Sequence, residues 1–218
     1  MADGRIFVQF GCGWSAPRGW VNYDASPTLR FERLPLIGRL YTKNASRFPD
    51  DVLLGDIVEG LPHPPGSVDG IYASHVLEHL SEQDCRQALR NVFALLKPGG
   101  TFRLIVPDLE WRARSYLDAA ARGEADAAHA FMHSSFLGAQ QRSRTLLGRL
   151  KDMLGNSAHL WMWDRRSMSH ALEEAGFDRI RVCAFGDAAD PEFALAEEPG
   201  RFIDDGHPEV ALEARKPG

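Results

Sequence analysis

Short apolar runs of strand length alternate along this chain with helical patterns, and this alternation restricts the fold more than any other feature. The first run, residues 5–10 (RIFVQF), is apolar on both faces, as expected of a strand buried inside a parallel sheet. Further strand-like runs follow at residues 20–23, 51–54, 68–73, 101–106, 179–185 and 209–215. Strand, turn and helix repeated in this order predict an α/β fold with a doubly wound, mainly parallel sheet.

Two helical segments have recognisable start and stop signals. Ser81 opens the first in a pattern that resembles a capping box, and residues 97–100 (KPGG) are typical of its end. Asp164 is suited to cap a second helix, which Gly176 would stop. Between these helices lies a long helix-rich stretch. We interpret residues 108–160 as a helical lid or acceptor-binding insertion.

The composition is that of one large domain. The chain has 218 residues and neither repeats nor a long linker, so we expect a single domain over residues 1–218. A net charge of −5 argues against a nucleic-acid partner, and no apolar run approaches the roughly 20 residues that cross a bilayer. The first residues printed here show no basic stretch followed by an apolar one, so we do not expect secretion, and the three cysteines form no C-x-x-C motif. We therefore expect a cytoplasmic protein without stable membrane insertion.

A glycine turn follows the first predicted strand. Gly11, Cys12 and Gly13 allow the backbone to approach a ligand closely, because the two glycines lack a Cβ atom. Asp24 ends the second run, beside that turn, where a carboxylate can accept hydrogen bonds from both hydroxyls of a ribose. Asp56 follows the third run and would lie one strand further, within reach of a base. The pattern predicts a nucleoside at this sheet edge.

The turn also fits the dinucleotide fingerprint, since Ala16 follows Gly11 and Gly13 at the required spacing. NAD is therefore an alternative ligand. However, a dinucleotide needs its pyrophosphate at the start of a helix, and Pro17 and Gly19 leave no room for a crossover helix before the second run. S-adenosylmethionine has an amino-acid end and a ribose but no pyrophosphate, so it suits this turn better.

Four ordered segments carry a resemblance to a known family: VQFGCG, GWVNYD, GDIVEGLPHPPGSVDGIYASHVLEHL and LRNVFALLKPGGTFRLIVPDLE. Together they resemble the class I S-adenosylmethionine-dependent methyltransferases, and more narrowly the small methyltransferases found among sugar and polysaccharide biosynthesis enzymes. The resemblance implies a Rossmann-like, seven-stranded sheet with an antiparallel strand near the C-terminus, and S-adenosylmethionine as cofactor. It also implies cofactor contacts by Phe10, Gly11, Cys12 and Gly13 at the methionine end, Asp24 at the ribose, Asp56 and Ile57 at the adenine, and Ser74 and His75 at the pocket floor.

One short motif suggests a metal. His75, Glu78 and His79 match H-x-x-E-H, a zinc-protease pattern that requires both histidines on one face of a helix. Here His75 directly follows a predicted strand, and helix signals begin only near Ser81. We therefore predict no metal site from this motif.

The acceptor is the remaining question. If it is a hydroxyl, a base must remove its proton, and His75 and then Asp108 are the candidates, because both follow predicted strands. The fourth run ends without the Asn/Asp-Pro-Pro-aromatic turn associated with methylation of nucleic-acid bases. We expect a small-molecule or glycan-intermediate acceptor. His159, Trp161 and Trp163 are suited either to an acceptor wall or to the core. The alternative function is a non-catalytic partner or regulatory subunit that only binds the cofactor.

Overall fold

The computed structural model describes residues 4–35, 47–138, 158–204 and 206–218. The strands in these residues are β1 (Phe7–Phe10), β2 (Val21–Asp24), β3 (Leu53–Leu54), β4 (Val68–Ser74), β5 (Leu96–Val106), β6 (Asp178–Val182), β7 (Ile203–Asp204), β8 (His207–Pro208) and β9 (Val210–Arg215). The helices are α1 (Pro27–Glu32), α2 (Glu82–Leu95), α3 (Leu109–Ala121), α4 (Ala127–Ser135) and α5 (Arg165–Glu174). Short 3₁₀ helices span Leu77–His79, Pro191–Leu195 and Pro199–Arg201.

Seven of the described strands form one sheet, in the order β3-β2-β1-β4-β5-β9-β6. Neighbouring strands from β3 to β5 pair in parallel, whereas β9 pairs antiparallel with both β5 and β6. The predicted fold, including the antiparallel strand near the C-terminus, is confirmed. Because β1 lies between β2 and β4, the strand order reverses there. Ligands of open α/β sheets bind at the carboxyl ends of strands beside such a reversal.

The two faces of the sheet are covered differently. On one face, Ile71 and Leu104 pack with Leu89 of α2 and Leu172 of α5, and all four side chains are almost fully buried. The opposite face carries a second cluster, which includes Phe7, Tyr72, Ile105, Trp20 and Phe193. Phe193 belongs to the 3₁₀ helix Pro191–Leu195, so a largely irregular segment covers this second face. Alternate residues of β4 supply the two clusters, as the two-residue period of a strand requires.

The boundary between α2 and β5 differs from the sequence prediction. Helix α2 ends at Leu95, and residues 97–100 belong to β5 instead of forming a separate turn. The amide of Gly99 donates to the carbonyl of Lys216, and the amide of Lys216 donates to the carbonyl of Gly100. These bonds extend the sheet into the KPGG segment. The predicted strand start at residue 101 was therefore wrong, because the pairing partner lies at the far end of the chain.

The other signals for helix ends are confirmed. Ser81 accepts a hydrogen bond from the amide of Asp84 at the start of α2. Asp164 forms a reciprocal capping box with Ser167 at the start of α5, and Gly176 follows that helix with a φ of +102°. The predicted insertion contains α3 and α4, and its residues 139–157 lie outside the described residues. Among the described residues, no helix has the length and apolar character required to cross a membrane.

Candidate active site

The glycine turn after β1 is joined directly to the end of β2. The amide of Cys12 donates to the carbonyl of Tyr23 over 3.1 Å, and the amide of Gly13 donates to Oδ2 of Asp24 over 3.0 Å. Gly11 and Gly13 have φ values of +61° and +55°, which favour glycine. No helix separates β1 from β2, as Pro17 and Gly19 in the sequence predicted.

The two glycines have different surroundings. A Cβ atom on Gly11 would lie only 2.3 Å from Cγ2 of Val76, in the turn that follows β4. A Cβ atom on Gly13 would meet nothing within 4 Å. Gly11 therefore permits the close approach of two loops within the protein, whereas Gly13 borders open space into which a ligand can fit.

Asp24 is held in place and keeps part of its hydrogen-bonding capacity. Its side chain is buried, with Oδ1 accepting from the amide of Ser26 and Oδ2 from the amide of Gly13. Ser26 in turn caps α1 by accepting from the amide of Leu29. An ionised carboxylate offers about four acceptor positions, so about two remain for the hydroxyls of a ligand. This geometry is suited to a ribose.

Asp56 and Ile57 lie one strand further along the same edge. The amide of Gly55, directly before Asp56, donates to the carbonyl of Asp24. Asp56 closes a local turn by accepting from the amide of Val58, and Ile57 is buried. The amide side chain of Asn91 in α2 donates to the carbonyl of Ile57 over 2.8 Å. Sequence reasoning missed this supporting role of Asn91, because a polar residue on a helix gives no sign of its distant partner.

His75 follows Ser74 at the carboxyl end of β4 and has an unusual φ of +55°. Its Nε2 atom lies 3.0 Å from the carbonyl oxygen of Arg201, and its Nδ1 atom lies 3.5 Å from Oε1 of Glu78. Burial lowers the pKa of His75, but the nearby Glu78 carboxylate outweighs burial and leaves the pKa raised. Both ring nitrogens therefore face acceptor oxygens. His75 can accept a proton at Nε2 only after this atom has left the carbonyl oxygen of Arg201.

Asp108 follows β5 and caps α3. Its Oδ1 atom accepts from the amide of Glu110 over 2.9 Å, while its own amide donates to Glu209. Burial raises the pKa of Asp108, and the backbone hydrogen bonds at Glu110 and Trp111, which lower it, do not cancel this effect. Its carboxylate is thus already engaged in capping, as sequence reasoning did not foresee.

A cavity of about 240 Å³ lies at the same edge of the sheet, and its lining includes His75, Pro107, Phe136, His159 and Arg201. Arg112 of α3 also lines this cavity and is almost completely buried. Its guanidinium group donates to both carboxylate oxygens of Glu209 and to Asp204. Sequence reasoning missed this ion cluster because its acidic members lie about 90 residues away.

The three aromatic residues predicted as wall or core have separate places. Trp163 is buried in the core, Trp161 is 45% exposed, and His159 lines the cavity. Burial lowers the pKa of His159. The zinc-protease arrangement is absent at H-x-x-E-H, because His75 precedes the 3₁₀ helix Leu77–His79 instead of lying inside a helix.

The family described as "Methyltransferase domain" matches residues 12–182. An S-adenosylmethionine-dependent methyltransferase from Methanosarcina mazei has a similar structure, with a TM-score of 0.52 and 14% identity, covering 100% of this chain and 94% of the other. Another such methyltransferase, from Thermotoga maritima, has a TM-score of 0.50 and 16% identity, covering 97% and 81%.

No curated protein matches the sequence significantly. At such low identity the two structures support the fold alone, whereas the family match spans most of the chain. It agrees with the resemblance carried by the sequence motifs and with the glycine turn beside Asp24. The chain therefore belongs to the Methyltransferase domain family and is an S-adenosylmethionine-dependent methyltransferase.

Proposed function

We propose that this protein transfers the methyl group of S-adenosylmethionine to a hydroxyl of a small-molecule or glycan-intermediate acceptor. The observation that carries the proposal is the cavity of about 240 Å³ beside His75, on the same sheet edge as the open glycine turn. In this proposal the cofactor contacts are made by Phe10, Gly11, Cys12 and Gly13 at the methionine end, Asp24 at the ribose, Asp56 and Ile57 at the adenine, and Ser74 and His75 at the pocket floor.

The size and walls of the cavity favour a small polar acceptor. Pockets for drug-sized ligands usually measure about 300–1,000 Å³, so this cavity suits one sugar-sized group or the end of a longer molecule. Arg201 and His159 offer polar contacts, and Phe136 offers a flat face. The net charge of −5 favours a small acceptor over a nucleic acid, and three free cysteines are consistent with the proposed cytoplasmic location.

His75 is our proposed base. The bound cofactor supplies an electrophilic methyl group, so the protein mainly aligns an in-line displacement. The cofactor would supply its methyl group to the acceptor oxygen and leave as S-adenosylhomocysteine, and the hydroxyl proton would pass to Nε2 of His75. For this step the acceptor hydroxyl replaces the carbonyl of Arg201 at Nε2. Glu78, 3.5 Å from Nδ1, then stabilises the imidazolium.

The test is release of S-adenosylhomocysteine with a panel of hydroxylated acceptors and matched amines. We expect turnover of hydroxyl compounds and a fall in kcat of about 10²–10⁴-fold for His75→Gln, the usual effect of a lost general base. His170→Gln is the control, because His170 is exposed on α5. Methylation of the amines alone would refute the hydroxyl assignment. Tight cofactor binding without turnover would instead favour the non-catalytic alternative.

A further inference from the structure

Three side chains that sequence reasoning did not connect converge behind the cavity. Glu78, His79 and His159 each offer one possible metal-ligand atom, and these atoms lie within 4.8 Å of one another. The rings of His79 and His159 meet at a centroid distance of 5.0 Å. The set combines a 3₁₀ helix after β4 with a segment about 80 residues later in the chain.

Glu78 is the unusual member of this cluster. Its side chain is only 1% exposed, yet neither carboxylate oxygen has a hydrogen-bond partner among the described residues. Two histidine nitrogens lie near Oε1 of Glu78. Nδ1 of His75 lies at 3.5 Å, the limit for a hydrogen bond, and Nε2 of His79 lies at 4.0 Å, beyond that limit. A buried carboxylate without partners is costly, because its charge has lost the solvation of water, so this position calls for a compensating positive charge.

Both histidines present a nitrogen to this carboxylate. Nδ1 of His79 lies 3.1 Å from the carbonyl oxygen of Ala158, which makes Nδ1 the donor and leaves the lone pair of Nε2 directed towards Glu78. A backbone carbonyl that orients the second ring nitrogen in this way is common behind metal-binding histidines. Nδ1 of His159 is buried and also has no hydrogen-bond partner among the described residues.

We propose that Glu78, His79 and His159 bind a first-row divalent metal ion such as Zn²⁺. Two imidazoles and one carboxylate form a ligand set that such ions accept, with a further position left for water. Ligand atoms on a tetrahedral zinc ion lie about 3.4 Å apart, so the present spacing closes by small side-chain rotations. The site differs from the zinc-protease pattern, since His159 replaces His75 as the second imidazole.

The ion would fasten the chain after residue 158 to the end of β4. The carbonyl of Glu78 already accepts hydrogen bonds from the amides of Leu160 and Trp161. A metal bound by Glu78 and His159 adds a side-chain link to this backbone contact, and it holds the His159 wall of the cavity in place. This role does not depend on the proposed acceptor, so its test can fail or succeed separately from the test of methyl transfer.

The experiment uses Zn²⁺ and Co²⁺ as probes of the full chain after chelation and gel filtration. We expect about one bound zinc per chain by elemental analysis, a visible Co²⁺ spectrum, and a higher Tm with zinc. His159→Ala and His79→Gln should weaken zinc binding by at least about 10-fold and abolish the rise in Tm. His170→Ala is the matched control, because His170 lies near Glu173 and Glu174 on the exposed surface of α5.

Two results would overturn the proposal. The first is a zinc content well below one ion per chain in the wild type after incubation with Zn²⁺. The charge of the buried Glu78 carboxylate would then be compensated by His75 instead of a metal ion. The other is His159→Ala protein that binds zinc as the wild type does. Binding of S-adenosylhomocysteine and the circular dichroism spectrum verify that each variant is folded. Glu78→Gln should likewise weaken zinc binding, and should that variant fail to fold, the two histidine variants still decide the question.

Discussion

The backbone amide of Gly13 donates a hydrogen bond to Oδ2 of Asp24 over 3.0 Å, joining the turn after β1 to the end of β2. The same carboxylate accepts from Ser26 through its other oxygen, so a single buried side chain organises two loops. About two acceptor positions of Asp24 remain for a ligand, and a Cβ atom on the neighbouring Gly13 would meet nothing within 4 Å. Loop geometry and cofactor affinity therefore depend on the same side chain.

Asp24→Ala should weaken the binding of S-adenosylhomocysteine by about 10–150-fold, because hydrogen bonds to a charged group contribute about 1.5–3 kcal/mol. Isothermal titration calorimetry measures the dissociation constant directly. Glu59→Ala, at an exposed position after β3, is the control and should bind as the wild type. Equal affinities in the two variants would exclude Asp24 from the ribose site.

Gly11→Ala should mainly lower the stability of the fold, whereas Gly13→Ala should mainly weaken cofactor binding. Alanine at Gly11 collides with Val76 and strains a positive φ, so we expect a loss of about 2–4 kcal/mol in the free energy of unfolding. Alanine at Gly13 has space in the protein, so it should cost only about 1–2 kcal/mol but weaken cofactor binding. Urea unfolding and calorimetry measure the two effects.

The double variant Gly11→Ala/Val76→Ala provides the internal control for this pair. Removal of the Val76 methyl groups should recover the part of the stability that the collision costs, while the strain of the positive φ remains. If the second substitution recovered nothing, the close contact between the two loops would not be the cause of the loss.

Arg103→Met should destabilise the fold by about 3–5 kcal/mol. The guanidinium group of Arg103 is 1% exposed and contacts the buried carboxylates of Glu197 and Glu213 over 2.7 and 2.6 Å. Without it, two carboxylates remain buried with less compensation. Arg114→Met is the matched control, since Arg114 pairs with Glu110 in solvent, where an ion pair contributes little to stability. Similar urea midpoints for both variants would contradict this assignment.

Asp187 should make the fold sensitive to acid. Burial raises the pKa of Asp187, but hydrogen bonds from Arg181, from the amide of Ala184 and from Arg103 outweigh burial and leave the pKa lowered. A lowered pKa in the folded state means that the stabilisation is present above the unfolded value of about 3.9 and is lost as the pH falls below it. The free energy of unfolding of Asp187→Asn should therefore decrease less than that of the wild type as the pH falls below about 4.

Urea unfolding at several pH values between 2 and 7, on the order of one unit apart, measures this dependence. The control is Asp118→Asn, which removes the same charge from an exposed position on α3. A parallel pH profile for the wild type and Asp187→Asn would exclude Asp187 as the source of the acid sensitivity.

The cysteines should be unreactive in the folded protein. Burial raises the pKa of Cys12, Cys85 and Cys183 to about 12 in each case. At pH 8 only about one thiol in ten thousand is then a thiolate, which is the reactive form. Titration with a chromogenic disulfide should detect slow reaction in the native state and three thiols after denaturation. One rapidly reacting thiol in the native protein would refute this expectation.

Much of the architecture could be predicted because its signals are local. The apolar runs that became β1 and β4 are buried on both faces, which gives a pattern visible in a few consecutive residues. Asp164 caps the start of α5 and Gly176 follows its end, and both roles depend only on residues within one turn of the helix. They can therefore also be predicted from consecutive residues. The KPGG segment ends α2 as predicted, but the start of β5 was predicted too late, because the hydrogen-bond partner of this segment, Lys216, is far away in sequence.

The sequence by itself determined the strand and helix periods, the glycine turn and the carboxylate that follows the next strand, because each depends on neighbouring residues. Only the tertiary structure decided which distant side chains meet. Arg112 meets Glu209, and Glu78 meets His159, through contacts that no local pattern encodes. Such pairs form when packing brings together elements about 80–100 residues apart, and loop closure over that distance favours no particular partner.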